Sequence, residues 1–210
     1  MKMFWSPNSN LTQAEIKQLW GDTLNNPPRK VACDTETISL EDKTAVGVGI
    51  AINRNQAFYV SPDDPEFERF LVMLRAIDIQ VIYHNAPFDL RVLRQYRPQC
   101  VNVDDTATLC RLANQHADLE TASFFVHLPT ENAKDFLARF GVKTMDLVPF
   151  EYVGRKCCQD AIATYRLYDR MIELDRSISY YHKFDHPLFP LLEPINAAGI
   201  NISQPTLNKL

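Results

Sequence analysis

The sequence predicts a mixed α/β fold, and three observations carry that expectation. Apolar runs at about 30–36, 45–53 and 56–60 show the strand period of two and follow one another too closely for helical crossovers, so they should pair antiparallel. Further runs at about 79–83 and 101–103 alternate with helical patterns at about 65–76, 87–97 and 105–115, which is the order of parallel strands joined through helices. Two stripes, Phe67, Phe70, Leu71 and Leu74, then Ala133, Phe136, Leu137 and Phe140, mark helices with one apolar face, the second stopped by Gly141.

The remaining elements follow in order. Residues 1–29 read as a lead-in: a turn at Ser6-Pro7-Asn8, a short helix capped by Thr12 and running through Trp20, and a loop from Asn25 to Pro28. His116 to Thr130 has no clear period and is a candidate mobile loop. A helix follows Tyr152. Residues 30–177 then form the main domain and 178–210 a helical tail, in which His186-Pro187 opens an apolar segment (Leu188, Leu191, Leu192, Ile195) that stops at Gly199. Ser203 reads as the cap of a further helix, of which only the first turn is present.

Composition narrows the class. With 210 residues and 46% hydrophobic side chains the chain can bury a core. No apolar run approaches the roughly 20 residues of a membrane helix, and MKMFWSPNSN has neither a signal-peptide core nor a transit pattern, so the cytoplasm is the default expectation. Five cysteines without a CxxC pair argue for reduced thiols rather than disulfides or structural zinc. The net charge of −4 offers no global attraction for nucleic acid, so any such binding must rest on local patches.

Four carboxylates stand where acids are expensive. Asp34 and Glu36 lie two apart on a strand whose other residues are apolar, so both point to one face. On the helix after His84 the inward stripe reads Asp89, Val92, Leu93, Tyr96, while Arg91, Arg94 and Arg97 take the outer face. Asp160 shares its face with Val153, Cys157, Ala163, Thr164, Leu167, Met171 and Leu174. Buried carboxylates need hydrogen bonds, cations or metal, and several converging on one place suggest a hard divalent cation.

The order DTETxxL (Asp34, Thr35, Glu36, Thr37, Leu40), NxxFD (Asn85, Phe88, Asp89) and DAxATxxL (Asp160, Ala161, Ala163, Thr164, Leu167) resembles the three exonuclease motifs of proofreading domains in family A, DNA polymerase I-like enzymes. The resemblance covers about residues 28–175, and the tail from Pro187 resembles the passage into that family's polymerase domain. It implies an RNase H-like fold with a mixed five-stranded sheet, its first three strands antiparallel, flanked by helices. It also implies 3′-5′ hydrolysis of DNA 3′ ends, single-stranded or frayed, with a polymerase domain in the same natural chain. Two magnesium or manganese ions would be held by Asp34, Glu36, Asp89 and Asp160, with Thr35, Leu40, Asn85 and Phe88 on the substrate side.

One position departs from the pattern. Where the family has Tyr, or related exonucleases His, four or five residues before the last Asp, this chain has Lys156 and Arg155. Lys156 is one turn before Asp160 and on its face, placed to hold a hydroxide or a phosphate oxygen, though its ammonium cannot act as a base. Tyr152 lies a further turn back. An RNase D-type RNA exonuclease shares the four acids and is the first rival; a weakened module that supports a polymerase domain is the second. His182 and His186 have the spacing of a zinc pair but no third ligand in view.

Overall fold

The computed structural model describes residues 2–5, 11–76, 78–96, 100, 102–174, 178–199 and 203. Six strands form one sheet in the order β1-β4-β3-β2-β5-β6: β1 (Lys2–Trp5), β2 (Lys30–Thr37), β3 (Ala45–Asn53), β4 (Gln56–Val60), β5 (Gln80–Tyr83) and β6 (Val103–Asp105). The short β3–β4 connection forces a hairpin, and β2, β3 and β4 pair antiparallel as expected. β5 and β6 arrive through helices and pair parallel. The five expected strands are present, and β1 adds an antiparallel edge strand beside β4. Residues read as a lead-in are therefore part of the sheet.

Helices cover both faces. On one, α1 (Gln13–Asn25), α2 (Phe67–Leu74) and α3 (Ala86–Leu93) pack Ile16, Trp20, Phe70, Leu71, Leu74, Ala86 and Leu93 against Val31, Cys33, Ile50 and Phe58. Thr12 caps α1 in a reciprocal box with Glu15. On the other face lie α4 (Thr106–Leu112), α5 (Leu119–Ala122), α6 (Ala133–Phe140) and the 25-residue α7 (Phe150–Leu174). α7 buries Val153, Cys157, Ala161, Leu167, Tyr168 and Met171 against Ala32, Ala51, Ala57 and Tyr59. Leu174, expected on that stripe, is exposed.

β3 is shaped for this contact. A Cβ on Gly49 would overlap the Cys157 carbonyl, and one on Gly47 would overlap the Tyr59 ring. Glycine at 49 lets α7 lie directly on the strand, and glycine at 47 makes room for the Tyr59 ring.

Three differences from expectation have local causes. The segment 116–130 carries α5 and a 3-10 turn (Ser123–Val126), because Asp118 caps α5 and the buried Ser123 hydroxyl accepts from the Thr130 amide. The helix after His84 is α-helical only to Leu93 and tightens into a 3-10 turn at Arg94–Tyr96. The tail is α8 (Ile178–Tyr180), a π turn (Tyr181–Asp185), a 3-10 turn (His186–Leu188) and α9 (Phe189–Ala198), with Tyr181 and Phe189 buried in the α7-side core. The turn at Ser6-Pro7-Asn8 and the helix after Ser203 lie outside the described residues. No helix among the described residues is long and apolar enough to cross a membrane.

Candidate metal centre

Strand pairing creates the site. β2 pairs with β5 only over Lys30 to Ala32, so the β5-side edge of β2 is released as it reaches Asp34 to Thr37. This is the crevice beyond the carboxyl ends of neighbouring parallel strands, where α/β folds place their ligands. Asn85, in the left-handed conformation (φ 72°), turns the chain after β5 and starts α3 beside that edge, with Pro87 in its first turn. The turn is fastened by Asp105, whose Oδ1 accepts from the Asn85 amide at 2.7 Å and from Ala107 at 3.1 Å at the start of α4. Asp89 then meets β2 from the α3 side: its Oδ1 accepts from the Thr35 amide at 3.0 Å and the Thr35 hydroxyl at 2.8 Å.

Period two turns Asp34 and Glu36 the other way, toward α7. The Cys157 thiol donates to the Asp34 carbonyl at 3.3 Å and to Asp34 Oδ2 at 3.4 Å. Lys156 Nζ lies 2.7 Å from Glu36 Oε1 and 2.7 Å from Asp160 Oδ2. The second oxygen of Asp160, Oδ1, is buried without a hydrogen-bond partner among the described residues.

Charge is unbalanced there. Burial, then the Asp160 and Glu36 charges, push Asp34 well above the usual carboxylate range, with Lys156 opposing. Burial raises Asp160 to about 6 against the pull of Lys156. Burial also raises Asp89 to about 8 despite the Thr35 hydrogen bonds, so desolvation outweighs the help expected from the start of its helix. Burial would lower the Lys156 ammonium, but Asp160, Glu36 and Asp34 outweigh it and hold it well above its ordinary value. Three carboxylates, Asp34, Glu36 and Asp160, act on one ammonium, and Asp89 stands on the other side of β2 with the Thr35 donors.

The donors suit a hard divalent ion. One oxygen each of Asp34 and Glu36 lies within 4.8 Å of the other and of Cys157 Sγ, and the orphaned Asp160 oxygen is free to serve as a further ligand. The thiol stays protonated, since burial pushes it well up.

A family model described as 3′-5′ exonuclease matches residues 9–174. The chain belongs to the 3′-5′ exonuclease family. No curated protein matches this exonuclease domain. Among solved structures, NrnC of Brucella melitensis bound to pGG aligns with a TM-score of 0.66 at 17% identity, over 83% of this chain and 88% of that one. The catalytic core of RRP6 from Trypanosoma brucei gives 0.57 at 22% identity over 78% of this chain and 45% of that one, so the exonuclease chain spans under half its length. RNase D of Trypanosoma brucei gives 0.54 at 12% identity, over 77% and 62%. These likenesses show the RNase H-like fold.

The other residues read from sequence take these places in the exonuclease. Leu40 is 75% exposed at the rim of a cavity of about 410 Å³ that Asp34, Thr35, Glu36, Phe88, Lys134 and Lys143 also line. Asn85 is exposed at its turn. Lys156, expected to face a hydroxide or phosphate oxygen, has its ammonium committed to Glu36 and Asp160. Tyr152 stacks edge-on with Phe140 at 5.1 Å between centroids, which ties it to α6. Two contributors were missed. Cys157 reads from sequence only as a member of the Asp160 stripe, although its place three residues before Asp160 is a signal. Asp105 holds the Asn85 turn, and its position as an acid directly before an apolar helix marked it as a cap.

Proposed function

We propose that this domain is a divalent-cation-dependent exonuclease that releases nucleotides from single-stranded or frayed DNA 3′ ends, within a polymerase of the family A type. The observation that carries this reading is the gathering of Asp34, Glu36, Asp89 and Asp160 around the released edge of β2, in a chain matched as 3′-5′ exonuclease over residues 9–174. Asp34, Glu36 and Asp160 would hold one magnesium or manganese ion, and Asp34 with Asp89 a second. Ions so held would supply a water nucleophile near neutral pH and stabilise charge on the leaving 3′ oxygen.

The chain's own residues do the positioning. Thr35 fixes Asp89 through two hydrogen bonds. Leu40 and Phe88 offer apolar surface to the terminal base at the cavity rim, Asn85 would reach the substrate backbone from its exposed turn, and Lys134 and Lys143 offer cations for the phosphates.

A second reading, an RNase D-type RNA exonuclease, has equal support from the structures of similar fold, which include RNase D, RRP6 and NrnC bound to pGG. The test is mononucleotide release from 3′-labelled single-stranded DNA and RNA of one sequence, with magnesium or manganese. The DNA reading expects faster release from DNA, and a loss of roughly a hundredfold or more in Asp34→Ala and Asp160→Ala. Preference for RNA would transfer the assignment to the second reading. Cleavage of neither strand, with manganese bound and the protein folded, would leave a module that supports a polymerase without catalysis.

A further inference from the structure

Lys156 stands between the carboxylates that a divalent ion would need. Its ammonium is 2.7 Å from Glu36 and 2.7 Å from Asp160, its side chain is 10% exposed, and theirs are 7% and 6% exposed. A magnesium ion contacts its oxygens at about 2.0–2.1 Å, so an ion on these carboxylates would lie within a few ångströms of the ammonium. Like charges that close repel strongly, and buried groups are screened little by salt. One cation has to leave for the other to bind.

The side chain has room to move. Lys156 lines the cavity of the acids, and also a second cavity of about 620 Å³ between α6 and α7, walled by Phe136, Tyr152 and Gln159 and by the charged Glu131, Arg139 and Arg155. Its ammonium already lies 5.9 Å from the Phe136 ring centre, a ring that the Arg139 guanidinium also approaches, at 5.2 Å.

We propose that Lys156 is a resident counter-ion that competes with the divalent cation for Glu36 and Asp160, so that metal enters by exchange as the ammonium swings toward the α6–α7 cavity. The inference rests on the metal-dependent reading and adds a regulation to it. Metal occupancy is set against an internal positive charge, which weakens binding and partly neutralises the acids of the apo site. The lysine also lends the acids a partner, so the protein stays folded when metal is scarce.

Manganese titration calorimetry on the purified chain, with thermal melts in chelator and in manganese, tests this on wild type, Lys156→Met and Lys156→Arg. Lys156→Met keeps the side-chain length without the charge; it should bind manganese at least tenfold more tightly, melt lower than wild type in chelator, and gain more from manganese. Lys156→Arg keeps the charge and should bind no tighter than wild type. If Lys156→Met is unfolded in chelator, folding on addition of manganese is the same exchange and supports the proposal. If both Lys156→Met and Lys156→Gln stay unfolded in saturating manganese, Lys156 is a structural residue and the proposal fails. A folded Lys156→Met with equal or weaker affinity also overturns it, while leaving the metal-dependent reading intact. Absence of manganese binding in every form, Asp34→Ala serving as the reference without a site, would overturn both.

Discussion

Asp89 shows at single-residue scale how function opposes stability. Its carboxyl is buried and raised from the usual 3.8 to about 8, chiefly by desolvation, with the two Thr35 hydrogen bonds pulling the other way. Between those values the folded chain holds a proton that the unfolded chain has released. The stability is therefore fully present below about pH 4 and declines as pH rises toward 8. Asp89→Asn keeps an oxygen for the Thr35 donors and removes the charge. In chelator it should melt above wild type at pH 8, by an amount on the order of a few kcal/mol at most, and match it near pH 4. Superimposable melting profiles for the two across that range would show that the carboxylate carries no such penalty. The proposed role of Asp89 in holding a second ion predicts that the same variant loses exonuclease activity, because an amide is a poorer ligand than a carboxylate.

At the scale of elements, α7 has to sit close enough to the sheet for Asp160 to meet Glu36 across Lys156, and β3 permits this by having no side chain at Gly49. Gly49→Ala would drive a methyl group into the Cys157 carbonyl, which is backbone and cannot rotate away. The helix would have to lift. The expected result is a loss of about 1–3 kcal/mol of stability, with a drop in activity beyond what the fraction unfolded accounts for. Denaturant unfolding together with the 3′-label assay reads both, and an unchanged midpoint would mean that the packing there is slack. The pairing of carboxylates with elements was legible in sequence because each acid broke an apolar stripe of known period. The contacts between elements were less so. The i, i+4 spacing puts Lys156 on the face of Asp160, but Glu36 is 120 positions away and no local pattern announces that the ammonium will also reach it. β1 was hidden for a similar reason, since four residues carry too little period to betray a strand whose partner is β4. The 116–130 segment escaped because caps such as Asp118 and Ser123 act through single hydrogen bonds and leave no repeating signal.

For the whole molecule, net charge and substrate are at odds. A chain of net charge −4 repels a polyanion at long range, so nucleic acid has to be captured by local cations near the acids. Lys134 and Lys143 are exposed and line the same cavity as Asp34 and Glu36, and they stand on and just after α6, apart from the acid-bearing elements. That separation makes their contribution measurable without disturbing the centre. Replacing both with alanine should weaken binding of single-stranded DNA severalfold to tenfold, and should raise KM with little change in kcat. It should also flatten the dependence of log affinity on log salt by about 0.7 for each phosphate that the variant no longer neutralises. A double variant with the wild-type salt slope would mean that the strand enters by another route, with Arg91 of α3 and Arg94 of the turn after it as the next residues to replace. A fall in kcat alone would instead mean that the lysines act on the reacting phosphate, which would make them part of the chemistry rather than of capture.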